Sequence, residues 1–464
     1  MRWDMMGCAG NPLIKTPNLD RLAAGGTRFS NAFNTTAICC VSRASILTGQ
    51  YARRHGVSEM NPFRTPLRDF AGTYPARLRQ AGFYTGFIGK WGLDIDSRGG
   101  FQRYAAAFDF WSGDMQQSVY WHERACAYLT NDGTSNRTNC FCTCPAEART
   151  SDGVQGTGPH PALKDPVHAE TEFIPSKIRS FFDQRASDKP FCLSVSVKAP
   201  HGPWGGYAPR FAKDFEGAEI PRAASVSLAE AQRQPTFLRA SLESDRGLLF
   251  AQGTSLDGER NQQMRQYYRL VEGLDFCVGE LLRELDRRGL TSNTVVIFTS
   301  DNGHFSGEHG FFGKWLMHEE SIRAPLIVFD PREPAARRGQ TCNEMVLNID
   351  IAPTLLQLAG LRVPPDMQGQ SLLPLLAEPQ KPFRESFFYE HLYRKGGRIA
   401  CSEGVRTRDW KYTVYVDQTG PDREQLYDVG RDPLEMKNLL RDPACQERLE
   451  QLRQEHQIFS ITLK

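Results

Sequence analysis

The feature that most constrains the fold is a long amphipathic segment that leads directly into a short apolar run. Between residues 262 and 288, apolar side chains recur every three or four positions, at Met264, Tyr268, Val271, Leu274, Val278, Leu281 and Leu285. This spacing predicts a helix with one apolar face. Gly289 ends that helix, and residues 294–298 predict a strand that is buried on both faces. A helix followed by a buried strand indicates an α/β fold.

Similar patterns recur along the first three quarters of the chain. Helices are predicted after Thr16 and after Thr73, and at 173–184 and 351–359, with buried strands at 84–88 and 191–197. Residues 127–165 are polar and predict a surface insertion, and 205–260 contain a second irregular stretch. From about residue 379 short strands and a charged helix after Pro443 predict a smaller α+β domain. We therefore predict two domains, 1–378 and 379–464.

Composition excludes several classes of protein. The net charge of +2 is nearly neutral, so nothing in the overall charge favours nucleic acid as a partner. No apolar run approaches the roughly 18–20 residues that span a bilayer. The opening residues 1–7 contain no apolar segment of the kind found in a secretory signal.

A group of cysteines, Cys126, Cys140, Cys142 and Cys144, lies close together in the polar insertion. The group favours disulfides formed in an oxidising compartment, with reduced thiols as an alternative. A zinc site ranks last, because the paired C-x-x-C spacing is absent. Disulfides imply export, which conflicts with the missing signal and indicates that an N-terminal segment is absent.

The most informative motif for chemistry is the segment 39–49, which begins with Cys39. We expect a helix to start here, with Ser42 as its cap and Arg43 in its first turn. A helix N-terminus presents free N–H groups and attracts anions. A nucleophile, a guanidinium and a helix end together indicate a site of anion transfer, although a buried cysteine is more often only a small apolar residue.

The same segment resembles the sulfatase signature C-x-P-S-R-x-x-x-L-T-G, with Cys39 in the first position and Cys40 in a variable one. The resemblance implies an alkaline phosphatase-like mixed sheet flanked by helices. It also implies that a maturation enzyme converts Cys39 to formylglycine. One hydroxyl of the hydrated aldehyde attacks sulfur, and the other later expels sulfate.

Four later segments match the family in the same order. They are 82–91 with Lys90, 198–203 with His201, 300–303 with Asp301 and Asn302, and 307–315 with Lys314. The resemblance implies catalytic roles for Cys39, Arg43, Lys90, His201 and Lys314. Among them, Lys90, His201 and Lys314 are expected to bind substrate. Asp301, Asn302 and the modified Cys39 are expected to hold Ca²⁺, or Mg²⁺.

Three departures from the family pattern matter. The family begins with a central strand that ends in two aspartates, whereas this chain begins at Met1, past that position. Asp301 is then the one identifiable carboxylate, so we expect a weakened metal site and unpaired neighbouring strands. Val41 replaces a proline, which places recognition by the maturation enzyme in question. Gly92 replaces a histidine, so His201, or less readily His304 or His309, must transfer protons.

The sequence thus predicts an exported or periplasmic sulfatase that acts on aryl or carbohydrate sulfate esters. Its expected partners are a sulfated small molecule or glycan and the formylglycine-generating enzyme. Two alternatives stay open. One is a phosphoester or phosphonoester hydrolase of the same superfamily, and the other is an inactive relative that binds sulfated glycans.

Overall fold

A computed structural model describes residues 1–57, 65, 67–93, 104–114, 118–126, 144, 158–251 and 256–463. Its strands are β1 (Thr27–Phe33), β2 (Tyr84–Lys90), β3 (Phe110–Asp114), β4 (Trp121–Glu123), β5 (Pro166–His168), β6 (Phe191–Ser196), β7 (Val296–Thr299), β8 (Phe305–Ser306), β9 (Phe312–Gly313), β10 (Arg323–Phe329), β11 (Gln340–Leu347), β12 (Ser386–His391), β13 (Ser402–Thr407), β14 (Trp410–Tyr415) and β15 (Glu424–Asp428).

The α-helices account for most of the remaining regular structure. They are α1 (Pro17–Gly25), α2 (Cys39–Thr48), α3 (Ala52–His55), α4 (Tyr74–Gln80), α5 (Ile174–Gln184), α6 (Leu228–Arg233), α7 (Thr236–Arg239), α8 (Leu242–Ala251), α9 (Leu256–Arg287), α10 (Glu319–Ile322), α11 (Ile351–Leu358), α12 (Leu373–Ala377) and α13 (Gln446–Thr462). The long predicted helix is confirmed as α9, which begins several residues earlier than its apolar pattern. Within 205–260, the predicted irregular stretch lies before residue 228, and three short helices follow it in 228–251.

Two sheets form the larger part of the molecule. One has four strands in the order β11-β1-β10-β7, in which β1 runs parallel to β11 and antiparallel to β10. The other has three parallel strands in the order β3-β2-β6. Helices α1, α5 and α9 contribute their apolar faces to one shared core with residues of both sheets. The predicted mixed α/β architecture is therefore confirmed.

The strands β6 and β7 correct one prediction. Both were expected to be buried strands, yet every residue in each is only half-buried. Each pairs along one edge only, β6 with β2 and β7 with β10, within the part of the chain that the structure describes. Both strands line one cavity of about 1420 Å³. A strand is enclosed only when neighbours flank it, so the open edges explain the exposure. The absence of a strand between them stays a prediction.

The C-terminal part is an antiparallel meander in the order β12-β13-β14-β15, with α13 packed against it. Lys411 on β14 joins it to the rest of the molecule, because its Nζ lies 2.8 Å from Glu319 Oε1 and 2.9 Å from Glu435 Oε1. The predicted α+β composition of this part is confirmed, and the boundary at residue 379 stays a prediction.

Most of the predicted insertion, including Cys140 and Cys142, lies outside the described residues. Among the helices that are described, none is both long and apolar enough to cross a membrane.

Candidate active site

The candidate site lies at the carboxyl ends of three strands. Lys90 is the last residue of β2, His201 follows β6, and Asp301 and Asn302 follow β7. Lys314 follows the short β8–β9 hairpin. Ligands of open α/β sheets gather at this edge, because the loops that follow the strands converge there. The cavity between β6 and β7 is lined by six of the predicted site residues, namely Arg43, Lys90, His201, Asp301, Asn302 and Lys314.

The seventh predicted site residue, Cys39, lies at the start of helix α2. The helix begins at Cys39, directly after Ile38 in extended conformation, and not at Ser42 as the sequence suggested. Ser42 lies inside the helix, where its hydroxyl donates to Asn34 Oδ1 (3.1 Å) and accepts from Asn348 Nδ2 (2.9 Å). Cys39 therefore occupies the first helical position, closer to the free N–H groups than predicted.

The Cys39 thiol is buried and is not among the residues that line the cavity. A hydrogen bond from Cys40 and the positive charges of Lys90 and Lys314 lower the pKa of Cys39 well below its ordinary value. Burial raises the pKa of Cys40. The two adjacent cysteines are thus electrostatically different, and Cys39 is the one that experiences the cations of the site.

Arg43 connects three elements of the site. Its Nε and Nη2 both lie 2.9 Å from Asp301 Oδ2, and its Nη1 donates to the carbonyl of Lys90 at 2.6 Å. The same Nη1 donates to the hydroxyl of Ser196, on β6. A guanidinium has five donors in one plane and can hold several acceptors at once. Arg43 thereby fixes the ends of β2, β6 and β7 relative to α2.

Two histidines lie in the cavity wall, and both are neutral near pH 7. Desolvation, followed by Lys90 and Lys314, lowers the pKa of His201 well below its ordinary value. His201 Nδ1 lies 2.8 Å from the carbonyl of Gly202, so Nδ1 carries the proton and Nε2 is left as an acceptor. Burial lowers the pKa of His304 to about 3. His309 is instead enclosed between Glu230 and Glu320, away from the cavity, which excludes it as a proton donor there.

Asp301 and Asn302 have the right donor chemistry for a hard cation, but each is already engaged. Asp301 is held by Arg43, and Asn302 Oδ1 accepts from Lys314 Nζ at 3.0 Å. The cations Arg43, Lys90 and Lys314 together outweigh desolvation and hold the pKa of Asp301 far below its usual range. Ca²⁺ takes six to eight oxygen ligands. Asp301 and Asn302 fit as part of such a set, and alone they do not complete it.

Two of the positions at which the chain departs from the family pattern, Gly92 and Met1, border the site. A Cβ added to Gly92 would lie 3.4 Å from Lys90 Cε and 3.5 Å from Arg43 Cδ, and the φ angle of +73° favours glycine. Val41 is buried in the first turn of α2. The nitrogen of Met1 lies 2.6 Å from Ser300 Oγ and 3.0 Å from the Asn302 carbonyl. Asp4 is paired with Arg2 through contacts of 2.9 and 2.7 Å.

Two further residues of the cavity carried no predicted role. Lys198 is buried, donates to the carbonyl of Ser118 at 2.7 Å, and has its pKa lowered to about 8 by desolvation and by Lys90. Ser196 accepts from Arg43. Lys198 begins the motif that contains His201, so its position after β6 was the available signal. Ser196 had none.

Comparisons with known proteins agree with this arrangement. The sulfatase family model matches residues 1–361, and a model described as N-sulphoglucosamine sulphohydrolase, C-terminal, matches residues 307–460. The chain therefore belongs to the sulfatase family, and it is an enzyme that hydrolyses sulfate esters.

Individual relatives add detail. An N-acetylglucosamine-6-O-sulfatase of Bacteroides thetaiotaomicron is 30% identical over 94% of this chain and 80% of its own length. A structure solved in complex with its substrate, D-glucosamine-2-N,6-O-disulfate, superposes with a TM-score of 0.78 at 26% identity, covering 100% of this chain and 96% of the other. A phosphonate monoester hydrolase from Silicibacter pomeroyi superposes with a TM-score of 0.74 at 20% identity over 99% of this chain and 93% of the other, which shows a shared fold alone.

Proposed function

We propose that this sulfatase removes sulfate from glucosamine-type units of a sulfated glycan, using a formylglycine made from Cys39. The observation that carries the proposal is the convergence of Arg43, Lys90 and Lys314 on the cavity. The charges of Lys90 and Lys314 also act on Cys39. Three cations around one carboxylate leave a positive excess, and a positive cavity attracts an anionic ester group.

Each cation has a task that follows from its position. Lys90, at the end of β2, and Lys314, after the β8–β9 hairpin, both line the cavity, and we assign to them contacts with the nonbridging oxygens of a sulfate. Arg43 holds the strand ends together, so the two ammonium groups do not have to reorganise when charge develops. Fixed cations in a site with little water stabilise such charge strongly.

The nucleophile and the proton transfers are assigned to two residues. A formylglycine at residue 39 would supply, as its hydrate, the hydroxyl nucleophile towards sulfur, with the alcohol of the ester as the leaving group. His201, through its unprotonated Nε2, is the group of the described cavity wall that accepts and returns protons during the reaction. Its low pKa keeps that nitrogen available near neutral pH.

The divalent cation of the family would be held by Asp301, Asn302 and an oxygen at position 39. When bound, it would polarise the nucleophilic oxygen and offset charge on the sulfate. The incomplete donor set among the described residues predicts weak affinity for that cation.

The substrate assignment is supported by two relatives. The Bacteroides enzyme is described as acting on the 6-O-sulfate of N-acetylglucosamine, and the superposed structure contains a glucosamine disulfate. Both align over nearly the whole of this chain. We therefore assign a glucosamine 6-sulfate as the first substrate to test. Export to the periplasm or outside the cell stays a prediction, as does action by the maturation enzyme despite Val41.

The decisive experiment compares Cys39→Ala with Cys40→Ala in a host that forms formylglycine. Cys39→Ala should abolish hydrolysis of 4-nitrophenyl sulfate and of glucosamine 6-sulfate, whereas Cys40→Ala should stay close to wild type. Mass spectrometry of the peptide that contains residue 39 should detect the aldehyde. Full activity with an unmodified Cys39 would refute the mechanism.

The same assay separates the two remaining alternatives. Faster hydrolysis of 4-nitrophenyl phosphate or a phenyl phosphonate than of the sulfate would indicate a phosphoester or phosphonoester hydrolase. Binding of a sulfated glycan with no turnover, in a chain that carries the aldehyde, would indicate an inactive relative.

A further inference from the structure

A cluster of metal-binding side chains lies outside the catalytic cavity. His122 is on β4, Cys126 follows four residues later, and Cys144 reaches the same place from further along the chain. One ligand atom from each lies within 4.8 Å of the other two, and all three residues are buried. Around a tetrahedral zinc, whose Zn–S and Zn–N bonds are about 2.3 and 2.0 Å, neighbouring ligand atoms lie roughly 3.5–3.8 Å apart. Side-chain movements of about 1 Å would therefore bring the three ligand atoms to bonding distance from one zinc ion.

From this geometry we infer that His122, Cys126 and Cys144 bind a structural zinc ion. Two thiolates and an imidazole are the ligands that zinc prefers over calcium or magnesium. On binding, each thiol loses its proton to solvent and the imidazole stays neutral, so two protons are released and the ion's charge is balanced. The trio occupies three of the four tetrahedral positions, and the fourth goes to water or to another donor.

The surroundings of the trio orient its ligands. The backbone N–H of Glu123 donates to Cys144 Sγ at 3.2 Å. The imidazole of His122 stacks on Phe173, with ring centroids 4.2 Å apart and planes 13° from parallel. The N–H of Cys126 donates to the carbonyl of Glu123 at 2.8 Å, which forms the turn that brings Cys126 back towards His122. Contacts of this kind fix the direction of metal ligands before the ion arrives.

A lysine also helps to hold the turn that carries Cys126. Lys177 Nζ donates to the carbonyl of Cys126 at 3.2 Å and stacks over Phe173 at 4.8 Å. Aromatic and aliphatic neighbours, among them Trp121, Leu163 and Val167, belong to the same buried core as the two cysteines.

The position of the cluster gives the ion a role. The segment that precedes β4 contacts the catalytic loop, because Tyr120 Oη donates to the carbonyl of His201 at 2.5 Å and Lys198 Nζ donates to the carbonyl of Ser118. A zinc at His122, Cys126 and Cys144 would hold this segment in place. The ion would thus position His201 and Lys198 without touching the substrate.

The first test uses the full chain, purified under reducing conditions, stripped with a chelator and titrated with zinc or cobalt. Wild type should take up a tightly held zinc ion, and cobalt should give the near-ultraviolet charge-transfer band of thiolate ligands. Cys126→Ser and Cys144→Ser should lose both signals, whereas Cys277→Ala, at a buried cysteine of α9, should retain them. Asp301→Ala should also retain them, which separates this site from the catalytic metal site.

A second measurement keeps the inference testable if the serine variants do not fold. Zinc should raise the melting temperature of stripped wild type, because the ion binds only the folded chain. The inference is overturned if reduced wild type gives no thiolate band with cobalt and no zinc-dependent melting shift. A disulfide between Cys126 and Cys144, found by mass spectrometry in freshly purified active protein, would overturn it equally.

Discussion

Arg43 and Asp301 meet at a single oxygen atom: the Nε and Nη2 of the guanidinium both lie 2.9 Å from Asp301 Oδ2. The pair joins helix α2 to the end of β7 across 258 positions of sequence. It neutralises a carboxylate that lines the cavity together with Lys90 and Lys314. The remaining charge is positive, which suits a site for sulfate rather than a site for a cation alone.

Replacing Arg43 by lysine should lower kcat/KM on an aryl sulfate by about 2–4 kcal/mol equivalent, the range for loss of one preorganised donor. Lysine keeps the positive charge but cannot contact Asp301, Ser196 and the Lys90 carbonyl together. Steady-state kinetics measure the effect. Arg21→Lys, at an exposed pair with Asp286, is the control and should change little. Near-normal kinetics for Arg43→Lys would mean that a positive charge at position 43 supports catalysis without the hydrogen bonds of the guanidinium.

Lys90→Met and Lys314→Met should each reduce kcat/KM by about 2–4 kcal/mol equivalent, because each removes a fixed cation from the proposed sulfate position. Methionine preserves most of the buried volume, so the melting temperature should fall much less than the activity. Lys213→Met, at an exposed lysine, is the matched control. If both variants stay within tenfold of wild type, neither lysine contacts the sulfate.

The Ca²⁺ dependence of stability should be weak. Asp301 and Asn302 provide one carboxylate and one amide, and Ca²⁺ affinity falls towards roughly 10⁻⁴–10⁻³ M as ligand charge and rigidity decrease. Thermal melts with increasing Ca²⁺ should therefore show a shift only at millimolar concentrations, and Asp301→Asn should remove it. Saturation at micromolar Ca²⁺ that survives in Asp301→Asn would place the ion elsewhere.

The sequence predicted the residues of the site better than their contacts. Lys90 and Asp301 were predicted because their segments resemble family motifs that stand at the ends of strand patterns, and such motifs are local information. The Arg43–Asp301 pair joins distant segments and left no local signal. The start of α2 was misplaced because Ile38, not a polar cap, precedes it.

Burial was the least predictable property. The apolar sequences of β6 and β7 indicated enclosed strands, but enclosure depends on which strands lie beside them. His309 could not be separated from His304 by sequence, since only the fold brings Glu230 and Glu320 around His309.

His55 should make stability depend on pH. Its Nδ1 accepts the N–H of Val57 at 3.1 Å, so Nε2 carries the proton towards Ser45 Oγ at 3.0 Å. Burial, with a smaller contribution from Arg68, lowers the pKa of His55 from 6.5 to about 3. Between these values the unfolded chain binds a proton that the folded chain does not, so stability falls as the pH falls. The slope is about 1.4 kcal/mol per pH unit for one such group.

The measurement is the free energy of unfolding by urea at several pH values below 6.5. His55→Gln should be less stable than wild type near pH 8, and the difference should shrink by about 1.4 kcal/mol for each unit of acidification. Ser45→Ala keeps the imidazole and should keep the wild-type slope. A constant difference between wild type and His55→Gln would show that His55 titrates normally in the folded protein.

The open edges of β6 and β7 should be visible by hydrogen exchange. Along β6, alternate amides bond to β2, and the others point towards the cavity. The same holds for β7, which has only β10 beside it among the described strands. Amides that face a cavity exchange with solvent through small local openings of the structure. Amides of a strand that is paired on both edges exchange only when a larger part of the sheet opens. Peptides from 191–196 and 296–299 should therefore exchange faster than those from β1, which lies between β10 and β11. Equal protection of all three strands would mean that a partner covers the edges of β6 and β7 in solution.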